Sequence, residues 1–486
     1  MNGLVVNPRD LREAEYELIE KGVTEDTLIA RASAFLTAEV KKHADKTDKI
    51  IAVIGSGNNG CDGLDCALTL KREGYCVSVM MATKRSNEGN IRRREAVIKE
   101  GIALKKEFDG DEKVIIDAVF GIGIARDPDP ETAQVIIDIN RHKAYKIAVD
   151  LPSGLCGESG RAYFPTVKAD KTVTFSYLKV GMLLGDGRNF CGEVVVGDIG
   201  IECKHVGKVI DSDDVKMEKR LPATHKGVYG KTIIIGGCEI MPGAPLMAFE
   251  SAVSASRSGA GLVTLCVPKS LKCAYQARVK ETMLRFMPDD GKNMLFDRDE
   301  LNSIIKSYDT IVIGPGMGKN EETEKIVAYL AMNFYGVLVV DADGINSIAP
   351  SLKRIKYHTC SLVFTPHTVE FIRLCPRCGE GNYLENIRAF AFENRCIVAV
   401  KSATTVVTDG RGVYFNVTGS PAMAKGGSGD VLSGMVGAFA CVLPPLKALT
   451  TAVYHFGKAG ERAVKRLDSV TSVLASDIIV EIADAP

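Results

Sequence analysis

The 486-residue sequence has no tryptophan, no excess of either charge and no apolar run long enough to cross a bilayer. Each absence narrows the choice. With 61 basic and 61 acidic side chains, no basic surplus is aimed at nucleic acid or an anionic membrane. The longest nearly apolar stretch, Gly434–Leu443, falls well short of the ~20 residues that a spanning helix needs. No apolar N-terminal segment resembles a signal peptide. The fourteen cysteines form no dense framework, so a cytoplasmic protein with reduced thiols is expected. One pair, Cys375-Pro-Arg-Cys378, breaks the scatter. No second CxxC follows, so a zinc site would have to borrow Cys360, His358 or Cys396, and surface thiols are the plainer expectation. Tryptophan's absence beside 47 glycines suits an α/β enzyme with many tight strand–helix turns.

What is present is organised around Met423-Ala-Lys-Gly-Gly-Ser-Gly-Asp430-Val-Leu-Ser-Gly434. The glycines permit positive φ and close approach to a ligand. Apolar residues at helical spacing follow (Val431, Leu432, Met435, Phe439), which puts the glycines at a helix N-terminus, where free N–H groups suit a phosphate. Asp430, expected at the first helical position, is a poor phosphate ligand but a good base for a hydroxyl attacking phosphorus. Taken alone, the stretch also fits an aspartate that merely caps a helix.

In chain order, residues 9–40 show helical apolar spacing with a break at Gly22. The buried-type strand Lys49–Ile54 then enters Gly55-Ser-Gly-Asn58-Asn59-Gly60-Cys61-Asp62-Gly63. This matches the G-x-G-x-x-G of dinucleotide-binding dehydrogenases. Two features argue against that class. The next strand, Cys76–Met81, ends in Ala-Thr-Lys-Arg without an acid for a ribose, and Asp62 sets a negative charge where a pyrophosphate would lie. Two further strands end in acids, Val114–Ile116 in Asp117 and Ile147–Val149 in Asp150. A parallel sheet gathers both at the edge that carries the glycine loop. Such an oxygen-rich group suits a hard cation, or simply acids capping loops. Gly121-Ile122-Gly123-Ile124-Ala125-Arg126-Asp127 offers a second glycine loop, and Leu-Pro-Ser153-Gly154 adds a hydroxyl.

Asn58-Asn59-Gly60-Cys61-Asp62-Gly63, Asp117-Ala-Val-Phe-Gly121-Ile-Gly123 and Asp150-Leu-Pro-Ser153-Gly154 together resemble the NAD(P)H-hydrate epimerase domain. The resemblance implies a Rossmann-like three-layer αβα fold. It also implies K⁺ held by Asn59, Asp117 and Ser153, and substrate contacts from Asn58 to Asp62, from Gly121 to Asp127 and from Asp150. Asp150 is the candidate for proton handling. Cys61 stands where the pattern has glycine and is expected to narrow the loop; Ser33 replaces a helix glycine.

A polar, irregular joint around Asp211–Pro222 divides the chain into domains 1–210 and 211–486. Beyond it, strand and helix signals alternate, as in a parallel sheet covered on both faces. The strand ends carry Gly236-Gly237, Gly314-Pro-Gly316-Met-Gly318, Asp341-Ala-Asp343, Thr365-Pro-His367 with Glu370, and Lys401-Ser402-Ala403-Thr404-Thr405. With Asp430, this ordered set resembles the ADP- or ATP-dependent NAD(P)H-hydrate dehydratases of ribokinase-like αβα fold. The resemblance implies that Ala244, Gly316, His367 and Asp430 contact the hydrate, with Asp430 catalytic. Lys401, Ser402, Ala403, Thr404, Thr405 and Gly429 would hold ADP or AMP. Gly427, Ser428 and Gly429 would form an anion hole, and Mg²⁺ would accompany the nucleotide, with Glu370 a candidate near it. Departures from the pattern are Thr368, Val369, Ser402 and Ser420.

The two resemblances cover nearly the whole chain. They imply a bifunctional repair enzyme acting on NADH hydrate and NADPH hydrate and consuming ADP, as a homo-oligomer of four or more subunits. The competing expectation is a ribokinase-like small-molecule kinase with a non-catalytic dinucleotide-binding N-terminal domain.

Overall fold

The computed structural model describes residues 3–218, 220, 222–379 and 382–482. Lys219 and Leu221 of the polar joint lie outside the described residues. The chain divides into two compact units, Met1–Lys208 and Val209–Pro486. No helix among the described residues is long and apolar enough to cross a membrane.

The first unit is built on seven parallel strands in the spatial order Ala103–Lys105, Cys76–Met81, Lys49–Ile54, Val114–Ala118, Tyr145–Val149, Lys171–Phe175, Glu193–Gly197. Strand Lys49–Ile54 is apolar on both faces because both are covered. Ile50, Ala52 and Ile54 join a core that includes Leu36, Leu64 and Ala67 from helices Glu25–Val40 and Asn58–Arg72. Ile51 and Val53 pack with Ile136 and Ile139 of helix Pro130–Arg141 on the other side. The unit is therefore a three-layer αβα sandwich. The break at Gly22 separates helices Pro8–Glu20 and Glu25–Val40, the second capped by Thr24. From Lys49–Ile54 the chain builds first to one side and then, after Val114–Ala118, to the other. The carboxyl ends of these two neighbours flank the topological switch point, where open α/β sheets bind ligands.

The second unit repeats the logic with nine strands. Met283–Met287, Leu262–Pro268, Lys231–Ile235, Thr310–Ile313, Val337–Val340, Ser361–Phe364 and Ile397–Val400 are parallel. Thr405–Thr408 and Val413–Asn416 extend the sheet antiparallel. Its switch point lies between Lys231–Ile235 and Thr310–Ile313. Helix Ser428–Phe439 packs on those two strands and on helix Gly243–Ala255. The approach is close: a methyl group on Gly434 would stand 1.9 Å from the Ala248 carbonyl oxygen, and one on Gly437 2.4 Å from Val312. Small residues thus bring the start of this helix down onto the switch point. Helix Glu321–Asn333 covers the opposite face with Ile326, Val327 and Leu330.

Candidate active sites

In the first unit a cavity of about 1040 Å³ opens at the switch point. Among the residues expected there, Asn58, Asn59, Asp62, Asp150 and the whole stretch Gly121–Asp127 line it. Gly60 and Cys61 do not line it. The helix already begins at Asn58, so Cys61 points away from the loop, buried, with its sulfur 3.8 Å from Asn87 Oδ1. The expected narrowing of the loop by Cys61 is therefore corrected. Ser33 is a buried helical residue whose hydroxyl donates to the Ala30 carbonyl.

Beneath the cavity, Asp117 is fully buried and accepts from the Ser153 hydroxyl (2.5 Å), the Ser153 amide (2.8 Å) and the Val119 amide (3.3 Å). Burial pushes its carboxyl up to about 6, against the pull of the serine hydrogen bonds. The Phe120 amide donates to the same serine hydroxyl, and the Asn59 side chain lies against the adjacent Gly121. The three expected cation ligands are thus strung along residues 119–121. The Asn59 amide nitrogen is buried and has no hydrogen-bond partner among the described residues.

Asp150 adopts a left-handed conformation (φ 63°) and accepts from Lys179 Nζ at 2.5 Å and Thr174 Oγ1 at 3.1 Å. Lys179 is fully buried, its ammonium also reaching Thr174 Oγ1 and the Phe175 carbonyl. Sequence reasoning missed this lysine, although it is the one charge in the apolar stretch Val173–Leu184. Helix Pro8–Glu20, equally unforeseen here, adds Arg12 and Glu15 to the cavity wall. Burial, and then the charges of Asp150 and Glu25, raise the Glu15 carboxyl. Burial and Asp150 likewise raise Asp62 well above the carboxylate range.

In the second unit, Gly427 takes the left-handed conformation (φ 90°) and helix Ser428–Phe439 starts immediately after it. Asp430 is its third residue, not its first. Burial pushes the Asp430 carboxyl up to about 7, aided by Asp341, Asp343 and Glu370 and opposed by Lys401. Lys401 lies alongside, within 3.1 Å of where a methyl group on Gly429 would stand, and its ammonium pairs with buried Asp341 at 3.1 Å. Gly316 (φ 63°) abuts Ala244, and Asp343 accepts from the Gly318 amide. His367 is the N-cap of helix Thr368–Leu374. Its Nδ1 accepts from the Val369 and Glu370 amides while the Glu370 carboxylate returns the bond to the His367 amide. Accepting at Nδ1 leaves the proton on Nε2. Burial, followed by Lys401 and Arg373, lowers the imidazole's pKa, so it is neutral at pH 7. His367 also bridges Lys401 along the sheet.

Of the proposed anion-hole amides, that of Ser428 donates within the turn to the Lys425 carbonyl. Thr404 Oγ1 of the expected nucleotide contacts and Ser428 Oγ of the expected anion hole are buried without hydrogen-bond partners among the described residues. Ser402 bonds the Thr404 carbonyl, Ala403 is exposed, and Thr405 opens the strand Thr405–Thr408. Lys425 ties the glycine loop to a distant segment, donating to the carbonyls of Thr471 and Val473. Cys375 and Cys378 are buried, not surface thiols, with sulfurs 3.4 Å apart, while His358 bonds the Cys360 and Asn394 carbonyls. Among the described residues no group of three or more His, Cys, Asp or Glu could hold a metal ion.

Residues 232–483 match the family model described as NAD(P)H-hydrate dehydratase, and residues 25–181 the one described as YjeF-related protein N-terminus. A bifunctional NAD(P)H-hydrate repair enzyme of Archaeoglobus fulgidus is 32% identical over 99% of this chain and 98% of its own length. The chain belongs to the bifunctional NAD(P)H-hydrate repair family. Another member, from Thermofilum pendens, is 32% identical over 96% of this chain and 94% of its own. A ribokinase-like superfamily protein of Enterococcus faecalis is 23% identical, with a TM-score of 0.49, over 57% of this chain and 93% of that one. Both glycine-loop sites of this repair-family chain fall inside the matched segments.

Proposed function

We propose that the first unit interconverts the R and S forms of NADH hydrate and NADPH hydrate. On this proposal the second unit dehydrates the S form, with ADP as phosphoryl donor and AMP and phosphate as products. The observation that carries the proposal is Asp430: a buried carboxyl raised to about 7, at the start of a glycine-led helix and beside Lys401. A base poised near neutrality suits removal of a hydroxyl proton.

In the second unit Asp430 takes the proton from the hydroxyl on C6 of the hydrate, and that oxygen attacks the terminal phosphoryl group of ADP. Lys401 and the Gly429 amide would face the charge that develops on the phosphoryl oxygens. Phosphate then departs from C6, driven by the ring nitrogen, and loss of a proton from C5 closes the C5–C6 double bond and restores the dihydronicotinamide. Hydroxide leaves poorly at neutral pH, which is why the oxygen is first phosphorylated. Ala244, Gly316 and His367 position the hydrate. The partnerless hydroxyls of Ser428 and Thr404 fit an incoming nucleotide, whose phosphates bring Mg²⁺ with them. The Glu370 carboxylate is occupied in capping its own helix and supports that helix rather than a metal.

In the first unit, inversion at C6 requires a bond there to break and re-form on the opposite face. Asp150, oriented by Lys179, would move the proton. Asn59, Asp117 and Ser153 would hold K⁺; the Asp117 carboxylate with the amide oxygen of Asn59 and the hydroxyl of Ser153 is an oxygen donor set that suits a hard cation. The ion would order the loops that contact substrate. A cytoplasmic homo-oligomer of four or more subunits completes the proposal.

The test mixes equilibrated R and S NADH hydrate with the chain, ADP, Mg²⁺ and K⁺ and follows recovery of absorbance at 340 nm. Complete recovery supports both halves, because dehydration alone stalls once the S form is consumed. Recovery that stops partway removes the epimerase. No recovery with ADP or ATP overturns the proposal and favours a small-molecule kinase.

A further inference from the structure

We propose that Arg12 joins Arg126 in gripping the diphosphate of the dinucleotide, making the N-terminal helix a determinant of substrate specificity in the first unit. This rests on the hydrate-epimerase proposal above and extends it to a residue outside both glycine loops.

The charges around the cavity carry the inference. Four of its six acids have partners: Asp129 caps helix Pro130–Arg141 through Thr132, Asp127 accepts from the Phe164 amide, Glu25 from the Asn58 side-chain amide, and Asp150 is paired with Lys179, which leaves Glu15 and Asp62 without a hydrogen bond among the described residues. Arg12 and Arg126 also line the cavity; Arg12 feels the carboxylate of Glu15 one turn along its helix, but neither guanidinium has an ion pair or hydrogen bond among the described residues. Partners are within the helix's reach, since Arg9, one turn before Arg12, binds Glu158 through both carboxylate oxygens. The Arg12 guanidinium instead leans on the second glycine loop, its Nη2 3.9 Å from where a methyl group on Gly123 would stand. Arg126 lies three residues further along that loop. Two guanidinium groups with no hydrogen bond or ion pair among the described residues therefore line one cavity at the upper end of small-molecule size.

The hydrate's reacting ring carries no negative charge, whereas the diphosphate carries two. Planar guanidinium groups match phosphate oxygens in a bidentate fashion that an ammonium group does not. Lys179, the other cation of the cavity wall, is buried and held by Asp150, Thr174 and Phe175, so it is not free to take this role.

The test uses the full chain and measures epimerisation of NADH hydrate and of dihydronicotinamide riboside hydrate, which lacks phosphate. Arg12→Ala is expected to raise KM for NADH hydrate roughly 10- to 100-fold with kcat nearly unchanged. KM for the riboside hydrate stays the same, and Arg12→Lys restores only part of the loss. An unchanged KM for NADH hydrate, or an equal loss on both substrates, overturns the assignment. If the wild-type chain interconverts no epimers, the epimerase proposal fails separately. Arg12 is then judged by calorimetry with NAD⁺: loss of one of two dinucleotide sites in Arg12→Ala supports the grip, and retention of both sinks it.

Discussion

Replacing Asp430 with asparagine is expected to stop dehydration and, at the same time, to make the second unit more stable in alkaline solution. The carboxyl rises from 3.8 to about 7 on folding, chiefly because it is buried among other acids. A group whose folded pKa is raised keeps its proton where the unfolded chain has released it. Stability therefore falls as pH climbs from about 4 to about 7 and is level above that. A rise of this size corresponds to a ceiling of about 4 kcal/mol of charge burial at pH 8, against under about 2 kcal/mol at pH 5. Water at the partly open mouth reduces both figures, leaving a gain of about 2 kcal/mol for Asp430→Asn at pH 8. That raises the melting temperature by about 3–4 °C in a unit of this size. The assay is calorimetry of the whole chain, reading the transition that ADP displaces, at pH 5 and pH 8. Turnover is measured in parallel and is expected to fall about 10²–10⁴-fold. An equal gain at both pH values, or wild-type turnover, would refute the reasoning.

Asp117→Ala is expected to abolish the potassium dependence of epimerisation, checked by exchanging KCl for NaCl; an unchanged salt response removes the cation site. Lys179→Met leaves Asp150 without its buried cation and lowers epimerisation at least about 100-fold, read by chromatography of the R and S forms. Cys61→Gly keeps epimerase turnover essentially at wild-type level, because Cys61 faces Asn87 rather than the cavity, and costs about 1 kcal/mol of stability for a glycine inside a helix. Gly316→Ala forces a side chain into a left-handed position 2.6 Å from the Met241 carbonyl oxygen. It is expected to cost about 1–3 kcal/mol, seen in denaturant melts, and to weaken hydrate binding.

Much of the two sheets was legible because strands such as Lys49–Ile54 and Thr310–Ile313 are short apolar runs closed by glycine, acid or proline, and runs of that kind are buried on both faces. The glycine loops were legible for the same reason. Direction was harder to read. Cys61 sits in the middle of a loop motif, yet the helix starts three residues before it and turns it inward. Lys179 carried no motif, and its pairing with Asp150 depends on a contact across 29 residues of sequence. The elevated Asp430 carboxyl depends first on its burial and then on Asp341, Asp343 and Glu370, which follow other strands and meet it only in the fold. Cys375 and Cys378 look like surface thiols in a Pro-Arg turn, and only packing shows that they are buried.

The two bonds from Lys425 to Thr471 and Val473 make the glycine loop answerable to a stretch more than forty residues downstream. Gly427 leans the same way, a methyl group there standing 3.1 Å from the Ala475 side chain. Protein engineers who trim, tag or splice this chain near Ser469–Ala475 would be adjusting the proposed nucleotide site from outside. Natural variation in that stretch is correspondingly less neutral than its distance in sequence from Asp430 suggests.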